Sequence, residues 1–383
     1  MAAALACLPL IAWLLGRNKL RGLGVTRRCP TAISAGESAR VDLTVTNGAR
    51  TRRIFFVVSD AVPEALQAPG HVDLPVAILG PGEQTTLSYE LQPQRRGAYR
   101  LGPTQLLAPD AIGLRQYRRD LQQTHELLVY PRPIHLPYLW PYASGGNQPV
   151  KPRRRARGQG DDLYGIRDYV SGDDPRHIDW KTTARRGKLA VVEYERPESL
   201  EGMIVLDLDR LWHCGNGDEH TLEYAVVLAA TLIEQAYERG STVGLLAAGK
   251  MDFSCGPLSE TDQRLRLYEA LARAQADGDR PLAEVLAAHE ALFPPRCTVA
   301  VISPSPATAG VATFLRGTGH PLAWFVLDST TFDARVKADY ADVEAAVAAT
   351  RGPLHHLRGD IPLAGNWRSR AVSGRSAVRH AVH

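Results

Sequence analysis

Charged residues of opposite sign crowd the segment from residue 161 to residue 188. Its acids and bases are equal in number, with Asp161, Asp162, Asp168, Asp173, Asp174 and Asp179 set against Arg167, Arg176, Lys181, Arg185, Arg186 and Lys188. Arginine pairs with carboxylates through two parallel hydrogen bonds, and Trp180 can stack on a guanidinium. The composition therefore predicts an internally satisfied ion-pair network with a structural role.

A histidine within this segment raises a catalytic alternative. His177 is close to Asp173, Asp174 and Asp179, and such a set could act as a metal site or as an acid–base pair. On a helix, Asp174 shares a face with His177, whereas Asp179 points away, and no second histidine is near in the sequence. A structural network is therefore favoured over an unrecognised hydrolase.

Short motifs of the common enzyme classes are absent from the sequence. It contains no Gly-x-Ser-x-Gly, His-Glu-x-x-His, Gly-x-x-x-x-Gly-Lys-Ser/Thr or Gly-x-Gly-x-x-Gly pattern. His213 and Cys214 lack the spacing of metal ligands, so we expect them to lie in a loop. Without a phosphate-binding loop, any use of ATP must come from a partner. We therefore predict a non-enzymatic protein.

The centre of the charged segment has the start and stop signals of a helix. Asp174 can cap a helix and Pro175 suits its first position. The helix is predicted to run to about Arg186, where Gly187 can adopt the left-handed conformation that closes it. Strand character follows over residues 188–194.

The segment from Gly165 to Leu189 resembles the signature of the DUF58 family nearly residue for residue. The matching positions are Gly165, Arg167, Tyr169, Gly172, Asp173, Asp174, Pro175, Arg176, Ile178, Trp180, Lys181, Ala184, Arg185, Gly187 and Leu189. Upstream, Arg95–Pro103, Asp110–Leu114 and Val129–Pro131 are similar to the domain that precedes this signature in the family. The resemblance covers about residues 25–330.

The resemblance implies a role in protein assembly. DUF58 proteins are similar to von Willebrand A-domain proteins, usually begin with two membrane helices, and tend to be encoded beside AAA+ ATPases of the MoxR type. The implied role is an adaptor or scaffold in an ATPase-driven assembly or maturation system, with that ATPase and membrane proteins as partners. A net charge of only +4, with both signs interspersed, argues against a dedicated nucleic-acid binder.

A von Willebrand A domain binds magnesium through an Asp-x-Ser-x-Ser loop, a threonine and a later aspartate, which supply oxygen ligands. Here Asp207 keeps the first acid, but Asp209 and Leu211 replace the serines, and the later strand ends in Ser303-Pro304. Asp207 and Asp209 still follow a strand at the end where open α/β sheets bind ligands. We expect polar capping of the strand end and no cofactor, with magnesium binding as the weaker alternative.

Alternation of apolar and polar residues predicts a β-sandwich over residues 25–133. Val41, Leu43 and Val45 share one face of the first clear strand, and Asn47-Gly48 follows it as a turn signal. Short strands at such spacing are typical of an immunoglobulin-like sandwich. The predicted strands are Ala39–Thr46, Arg53–Ser59, Thr85–Leu91, Tyr99–Leu107 and Glu126–Tyr130.

Strands alternate with helices over residues 201–362, which predicts a doubly wound α/β domain with a parallel sheet, of the von Willebrand A-like type that the resemblance implies. The fold class is therefore α+β multidomain. The predicted strands are Met203–Leu208, Thr242–Ala248, Thr298–Ile302 and Leu322–Leu327, and the predicted helices are Leu222–Arg239, Glu260–Ala276, Leu282–Leu292 and Ala307–Leu315.

The remaining segments are predicted to connect or anchor these domains. Residues 134–160 form a Pro/Gly/Arg-rich linker that is solvated or touches anionic lipid or nucleic acid, residues 161–200 form the DUF58 signature segment, and residues 363–383 form a disordered basic tail.

An uncharged apolar run occupies the first 16 residues and is followed by basic residues. We predict a short or truncated transmembrane anchor there, with a buried core helix or a misassigned start as alternatives. The charge that follows the run predicts cytoplasmic soluble domains at the cell membrane. Five scattered cysteines without close pairs predict reduced, mostly buried thiols.

Overall fold

The computed structural model describes residues 18–66, 70–110, 115–140, 157–168, 179–195, 201–257, 262–295, 297–350 and 352–367. They form an α+β protein with two compact units. The first unit comprises Met1–Ile134, Val226–Ala230 and Arg264–Gln275, and the second comprises His135–Ala225, Thr231–Gln263 and Ala276–His383.

Short strands build the first unit. They are β1 (Leu23–Arg28), β2 (Ala32–Ser34), β3 (Ala39–Asn47), β4 (Arg53–Ala61), β5 (His71–Leu79), β6 (Gln84–Leu91), β7 (Gly97–Leu101), β8 (Thr104–Pro109), β9 (Gln116–Leu121) and β10 (His125–Tyr130). Their sheets have the orders β1-β3-β6, β2-β10-β7 and β5-β4-β8-β9. The pairing is antiparallel except between β2 and β10.

One hydrophobic core is shared by strands from all three of these sheets. In β3, Val41, Leu43 and Val45 are completely buried, while the polar residues between them are half-buried. Leu106 of β8 and Leu127 of β10 enter the same core. The predicted sheet-rich N-terminal region is confirmed, and the alternating pattern identified its buried face.

Strands β1, β2 and β9 were not predicted, and two prolines explain two further differences between the predicted strands and the structure of the first unit. The predicted single strand Tyr99–Leu107 is wrong, since the chain breaks at the cis peptide between Gly102 and Pro103 and its halves, β7 and β8, join different sheets. Strand β5 escaped prediction because Pro75 interrupts its pattern. Proline cannot donate to a strand ladder, and β5 accommodates it as the edge strand of its sheet.

The signature segment forms a strand pair with a short helix. Strand β11 (Arg157–Asp168) pairs antiparallel with β12 (Ala190–Glu195), and helix α1 spans Trp180–Arg186. The predicted continuous helix from Pro175 is wrong, because Asp179 is not helical and caps α1 by accepting hydrogen bonds from the backbone N and hydroxyl of Thr182. Gly187 closes α1 with a φ of +68°, as predicted.

A six-stranded sheet forms the centre of the second unit, in the order β17-β16-β13-β18-β19-β20. These strands are β13 (Glu201–Asp207), β16 (Thr242–Ala248), β17 (Phe253–Cys255), β18 (Thr298–Ser303), β19 (Leu322–Asp328) and β20 (Leu354–Arg358), and a small hairpin adds β14 (Gly215–Asn216) and β15 (Glu219–His220). All pairs in the large sheet are parallel except β16 with β17.

Helices alternate with these strands: α2 (Thr221–Glu238), α3 (Gln263–Arg273), α4 (Leu282–Ala288), α5 (Ala309–Gly317), α6 (Ser329–Phe332) and α7 (Ala341–Thr350). Strand β18 is buried along its whole length, as expected for a parallel strand covered on both faces. Helix α7 and strand β20 were not predicted, because α7 is alanine-rich with few large apolar side chains and β20 contains His355-His356.

The predicted linker and tail are both too long. Leu136, Leu139 and Trp140 are buried, and the Trp140 indole donates a hydrogen bond of 2.9 Å to the Leu232 carbonyl. Strand β11 already begins at Arg157. Within the predicted tail, residues 363–367 form a turn of 3₁₀-helix with Leu363 buried, while residues 368–383 lie outside the described residues.

Among the described residues, no helix combines the length and apolar character needed to cross a bilayer. The predicted anchor, residues 1–16, lies outside the described residues.

Candidate binding face at the carboxyl end of the six-stranded sheet

Asp207 ends β13 between its two parallel neighbours, β16 and β18. The next strand of the sheet along the chain, β16, lies on one side of β13, and the later strands β18, β19 and β20 lie on the other side. The strand order therefore reverses its direction at β13. Open α/β sheets bind ligands outside the carboxyl ends of their strands at such a switch point. The sequence prediction that Asp207 and Asp209 lie at the carboxyl end of a strand is therefore correct.

The Asp207 carboxylate is buried, and both of its oxygens accept hydrogen bonds. Oδ1 accepts from the Asp209 backbone N at 3.1 Å, and Oδ2 accepts from the Ser303 hydroxyl at 2.6 Å. The Ser303 oxygen in turn accepts from the Ser305 backbone N at 3.0 Å. Burial raises the pKa of Asp207 to about 6, against the opposing effect of the Ser303 hydrogen bond.

His213 connects the end of β13 to the start of α2. Its Nε2 donates to the Asp207 carbonyl oxygen at 2.8 Å, and its Nδ1 lies 3.0 Å from the hydroxyl oxygen of Thr221. Thr221 is completely buried and also accepts from the Cys214 backbone N at 3.0 Å. His213 and Cys214 were predicted as loop residues, and the contacts of His213 with Asp207 and Thr221 were missed since its spacing carries no signal.

A second group of polar contacts fixes the ends of β18 and β19. The Ser329 hydroxyl donates to the Trp212 carbonyl at 3.0 Å, and the Tyr340 hydroxyl donates to the Pro304 carbonyl at 2.8 Å. The Ser329 backbone N donates to the Tyr340 oxygen at 3.1 Å. The loops at this edge are therefore held by their own hydrogen bonds, which makes the face a rigid platform.

These donors do not fit a magnesium shell. The Asp207 carboxylate is occupied by Ser303 and Asp209, and the Asp209 carboxylate accepts from the Leu211 backbone N at 3.0 Å. Magnesium demands near-octahedral oxygen ligation, which one buried carboxylate with an engaged hydroxyl does not supply. Within the described ranges, no group of three or more His, Cys, Asp or Glu residues is placed to hold a metal ion.

Two large apolar side chains project from the loops of this face. Leu211, after β13, is 75% exposed, and Met251, after β16, is 91% exposed. Their loops are tied down, since the Arg210 backbone N donates to the Gly278 carbonyl and the Lys250 backbone N donates to the Asp277 carboxylate. The exposure of Leu211 was not predicted, because this residue was considered only as the replacement of a serine in the Asp-x-Ser-x-Ser loop.

The signature motif is only partly described, and its visible side chains lie at the surface. Trp180 is 67% exposed and Leu189 is 42% exposed, while Ala184, Arg185 and Lys188 are also exposed. The internally satisfied ion-pair network expected for this segment stays a prediction, because most of its charged side chains lie outside the described ones, whereas the Trp180 ring is at the surface. The exposed side chains are available for contact with a partner.

The other motif residues divide into two groups. Gly165 and Arg167 lie on β11, opposite Glu193 and Val191 of β12, and Lys181 lies in α1. Residues 169–178 lie outside the described residues. These are the positions of Tyr169, Gly172, Asp173, Asp174, Pro175, Arg176 and Ile178, together with the alternative catalytic residue His177.

Sequence comparison relates the chain to an uncharacterized protein, YeaD, of Bacillus subtilis. The two are 25% identical over 289 residues, which covers 72% of this chain and 69% of the relative. A CARDB domain from Pyrococcus furiosus aligns with 28% of this chain and 94% of its own length, at 17% identity and a TM-score of 0.21. A cohesin module from Clostridium perfringens aligns with 29% of this chain and 98% of its own length, at 16% identity and a TM-score of 0.23.

TM-scores this low establish neither a shared fold nor a shared function. The family match is independent of them: the family described as "Protein of unknown function DUF58" matches residues 165–303. That range includes the second half of the signature hairpin, Asp207 and the end of β18 at Ser303. The resemblance that the motif predicted is therefore confirmed as a match to the DUF58 family over residues 165–303.

Proposed function

We propose that this chain is a non-enzymatic adaptor at the cell membrane, with its two units on the cytoplasmic side. In this proposal it acts with an AAA+ ATPase of the MoxR type, and with membrane proteins, in the assembly or maturation of protein complexes. The second unit serves as a von Willebrand A-like module that binds the partner, and the first unit is an immunoglobulin-like sandwich.

The strand order of the second unit supports this proposal. Numbered along the sheet's own strands, the order β17-β16-β13-β18-β19-β20 is 3-2-1-4-5-6, the doubly wound arrangement whose binding face lies at the carboxyl ends of the central strands. The choice of an AAA+ ATPase as partner rests on the family resemblance, and it agrees with a sequence that has no phosphate-binding loop of its own.

The observation that carries the proposal is the pair of exposed side chains, Leu211 and Met251, on this face. Beneath them, the Asp207 carboxylate is buried and bonded to Ser303, so this carboxylate is not presented to solvent at the strand end. Exposed apolar side chains on rigid loops are typical anchors of protein interfaces. Binding, rather than chemistry, is what this arrangement supports best.

Capture of the partner from native membranes tests the proposal. The tagged full-length chain is isolated in the presence of a slowly hydrolysed ATP analogue with magnesium, and bound proteins are identified by mass spectrometry. We expect an AAA+ ATPase with the native chain and its loss with the double variant Leu211→Asp/Met251→Asp. Leu265→Asp is the matched control, since Leu265 is 50% exposed on α3. Recovery of no AAA+ ATPase by the native chain contradicts the proposal.

A divalent-cation-dependent ligand-binding module is the second candidate. It is favoured by the position of Asp207 and Asp209 at the strand end, although their engaged oxygens oppose it. This candidate requires a saturable heat of magnesium binding that disappears in Asp207→Ala. A calorimetric titration without such a heat removes it and leaves the adaptor proposal untouched.

A further inference from the structure

Three large apolar side chains are exposed together at one end of the first unit. Ile54 and Ile78 face each other across β4 and β5, and Phe55 follows Ile54. Their side chains are 42%, 57% and 67% exposed for Ile54, Ile78 and Phe55. Strand β5 is the edge of its sheet, so no further strand covers this trio. We call these residues the apolar tip.

Phe55 is held in a strained backbone conformation. Its φ is +48°, and no other non-glycine residue in the described part of the chain has a positive φ. A bulky residue in this region is an outlier that costs free energy, and such strain tends to persist where it serves a function. Here the conformation coincides with an aromatic ring that projects into solvent rather than into the core.

Cationic side chains surround the apolar tip. Arg50 and Arg52 directly precede it and are exposed, and Arg53 donates a hydrogen bond of 2.6 Å to the carbonyl of Arg21, itself an exposed residue. Glu83 also lies at this end, where its carboxylate accepts from the Gly80 backbone N at 2.6 Å. The balance of charge at the tip is therefore positive.

The chain enters the first unit at this same end. Lys19 donates to the Pro109 carbonyl at 2.8 Å, and the Gly48 backbone N donates to the Gly22 carbonyl at 2.8 Å, which fixes residues 19–22 beside the turns around the tip. In the sequence, the uncharged apolar run of residues 2–15 immediately precedes this point. The residues that follow the apolar run in the sequence therefore lie at the same end of the unit as the apolar tip.

We propose that the apolar tip with Arg50 and Arg52 docks on the surface of an anionic bilayer. Phe55 and the two isoleucines enter the boundary between head groups and acyl chains, and the arginines contact lipid phosphates. Aromatic and aliphatic side chains flanked by basic residues are typical of interfacial membrane binding. Each arginine near an anionic lipid surface raises the affinity of the protein for that surface by about fivefold. The tip positions the first unit against the membrane that the apolar run approaches.

Quenching by brominated lipid tests the proposal in the full-length chain. Phe55→Trp places an indole at the tip and replaces one aromatic residue by another at the same backbone conformation. Because the native chain has six tryptophans, the fluorescence of the new indole is obtained by subtracting the fluorescence of the native chain. With vesicles of brominated phosphatidylcholine and about 30% phosphatidylglycerol, we expect this added fluorescence to be quenched. Leu211→Trp, on the second unit, is the matched control and should remain unquenched.

Charge reversal then tests the role of the arginines. When Arg50→Glu and Arg52→Glu are added to Phe55→Trp, the lipid concentration needed for half-maximal quenching should rise by more than about tenfold. The control reversal Arg316→Glu, at an exposed position on α5, should leave it unchanged. Equal quenching in the reversed variant, or no quenching of Trp at position 55, overturns the proposal.

These outcomes are separable from the adaptor proposal. Capture of an AAA+ ATPase depends on Leu211 and Met251, which lie on the second unit, whereas vesicle quenching depends on the apolar tip of the first unit. Phe55→Asn provides an additional variant, since asparagine tolerates a positive φ and removes the ring without a risk to folding. It should lose vesicle contact while its thermal melting stays at or above that of the native chain.

Discussion

At the residue scale, the buried ion pair of the first unit is the feature that sequence analysis missed most completely. Arg27 and Asp60 pair inside the core with 4% and 0% side-chain exposure. The Asp60 carboxylate also accepts from the Thr104 hydroxyl at 2.8 Å and from the Tyr89 hydroxyl at 2.6 Å. A buried charged network thus lies around Asp60, where isolated charges in two distant strands give no pattern in the sequence.

Asp60→Ala should destabilise the chain by about 3–5 kcal/mol, because it leaves the Arg27 guanidinium buried without its counter-charge. Urea unfolding followed by circular dichroism measures the change. The exposed pair of Arg118 and Asp120 in β9 is the control, and Asp120→Ala should have little effect. Equal midpoints for the two variants would mean that water reaches Arg27.

Trp140 and Trp180 form a matched pair of residues in opposite environments. Trp140 is 2% exposed and packs where a Cβ on Gly202 would come within 2.5 Å of its ring, whereas Trp180 is 67% exposed. Trp140→Ala should cost about 3–5 kcal/mol of unfolding free energy, and Trp180→Ala about 0.5 kcal/mol or less. Thermal and urea unfolding of both variants decide this, and a large loss for Trp180→Ala would place the motif in a buried network after all.

Asp207 should give the stability of the second unit a distinct pH dependence. Its folded pKa of about 6 is above the ordinary value of 3.8, so the folded state holds the proton more tightly than the unfolded state does. Between these values the folded chain binds more protons, and the contribution of this group to the unfolding free energy falls as pH rises. At neutral pH the charged carboxylate costs about 3 kcal/mol relative to its protonated form.

Asp207→Asn removes this charge, so the variant should gain stability relative to the native chain as pH rises from about 4 to about 6, and keep that gain above it. Urea unfolding at a series of pH values measures the difference. Asp209→Asn serves as the control, because the Asp209 side chain is only half-buried. A difference that is constant with pH would show that Asp207 titrates normally in the folded chain.

At the scale of elements, the hydrophobic pattern predicted the strands that bury a regular face and failed where polar or special residues interrupt it. β3 and β18 were found because apolar side chains fill their central buried positions, and the buried polar residues Asn47, Thr298 and Ser303 lie only at the strand ends. β5 was lost to Pro75, and β20 to its histidines. The single strand predicted across Gly102-Pro103 was wrong because the apolar pattern continues through the turn. In the structure, the chain moves there from the sheet of β7 to the sheet of β8.

Helix α3 shows an element completed by a residue far away in sequence. Arg96 donates through Nη1 to the carbonyls of Leu271, Ala272 and Ala274, at 2.8, 3.3 and 2.9 Å. The last carbonyls of a helix lack hydrogen-bond partners within the helix. The carboxyl end of a helix also carries a partial negative charge, which a cation stabilises. Arg96 belongs to the upstream stretch that resembles the DUF58 pattern, so the resemblance includes a structural contact of the first unit.

Arg96→Ala should therefore lower the unfolding free energy by about 1.5–3 kcal/mol, the contribution of hydrogen bonds to a charged group. Faster amide exchange in the last turn of α3 should accompany it. Arg273→Ala is the control on the same helix, because Arg273 pairs with Glu126 in solvent and its removal should change stability little. Equal losses of unfolding free energy in the two variants would mean that the Arg96 hydrogen bonds stabilise the chain no more than an exposed ion pair does.

At the scale of the whole molecule, the position of the candidate binding face follows from the sequence, but its contacts do not. The end of β13 was identified from an apolar strand followed by Asp207, which depends only on local order. The Asp207 carboxylate accepts a hydrogen bond from Ser303, which lies 96 residues further along the chain, and a single sequence carries no record of such a contact. His213, which is near in sequence, donates to the Asp207 backbone carbonyl rather than to its carboxylate. The exposed Trp180 and the apolar tip were missed for the related reason that exposure depends on the entire fold.

The thiols give a prediction for the molecule as a whole. The described cysteines are Cys29, Cys214, Cys255 and Cys297; none of them forms a disulfide within the described part of the chain, and the last two are buried. Burial raises the pKa of Cys29 to about 11 and that of Cys297 to about 12, although the Arg27 charge lowers the former. Only the thiolate reacts with alkylating reagents, so these groups should be slow at pH 7.5 in the folded chain.

In a Cys7→Ser background, iodoacetamide at pH 7.5 should therefore label the folded chain far more slowly than the urea-unfolded chain, as intact-mass spectrometry would record. Cys214, which is half-buried and whose pKa is raised by burial, should be the first to react. Rapid labelling of Cys297 in the folded state would contradict the packing of β18 against its neighbours.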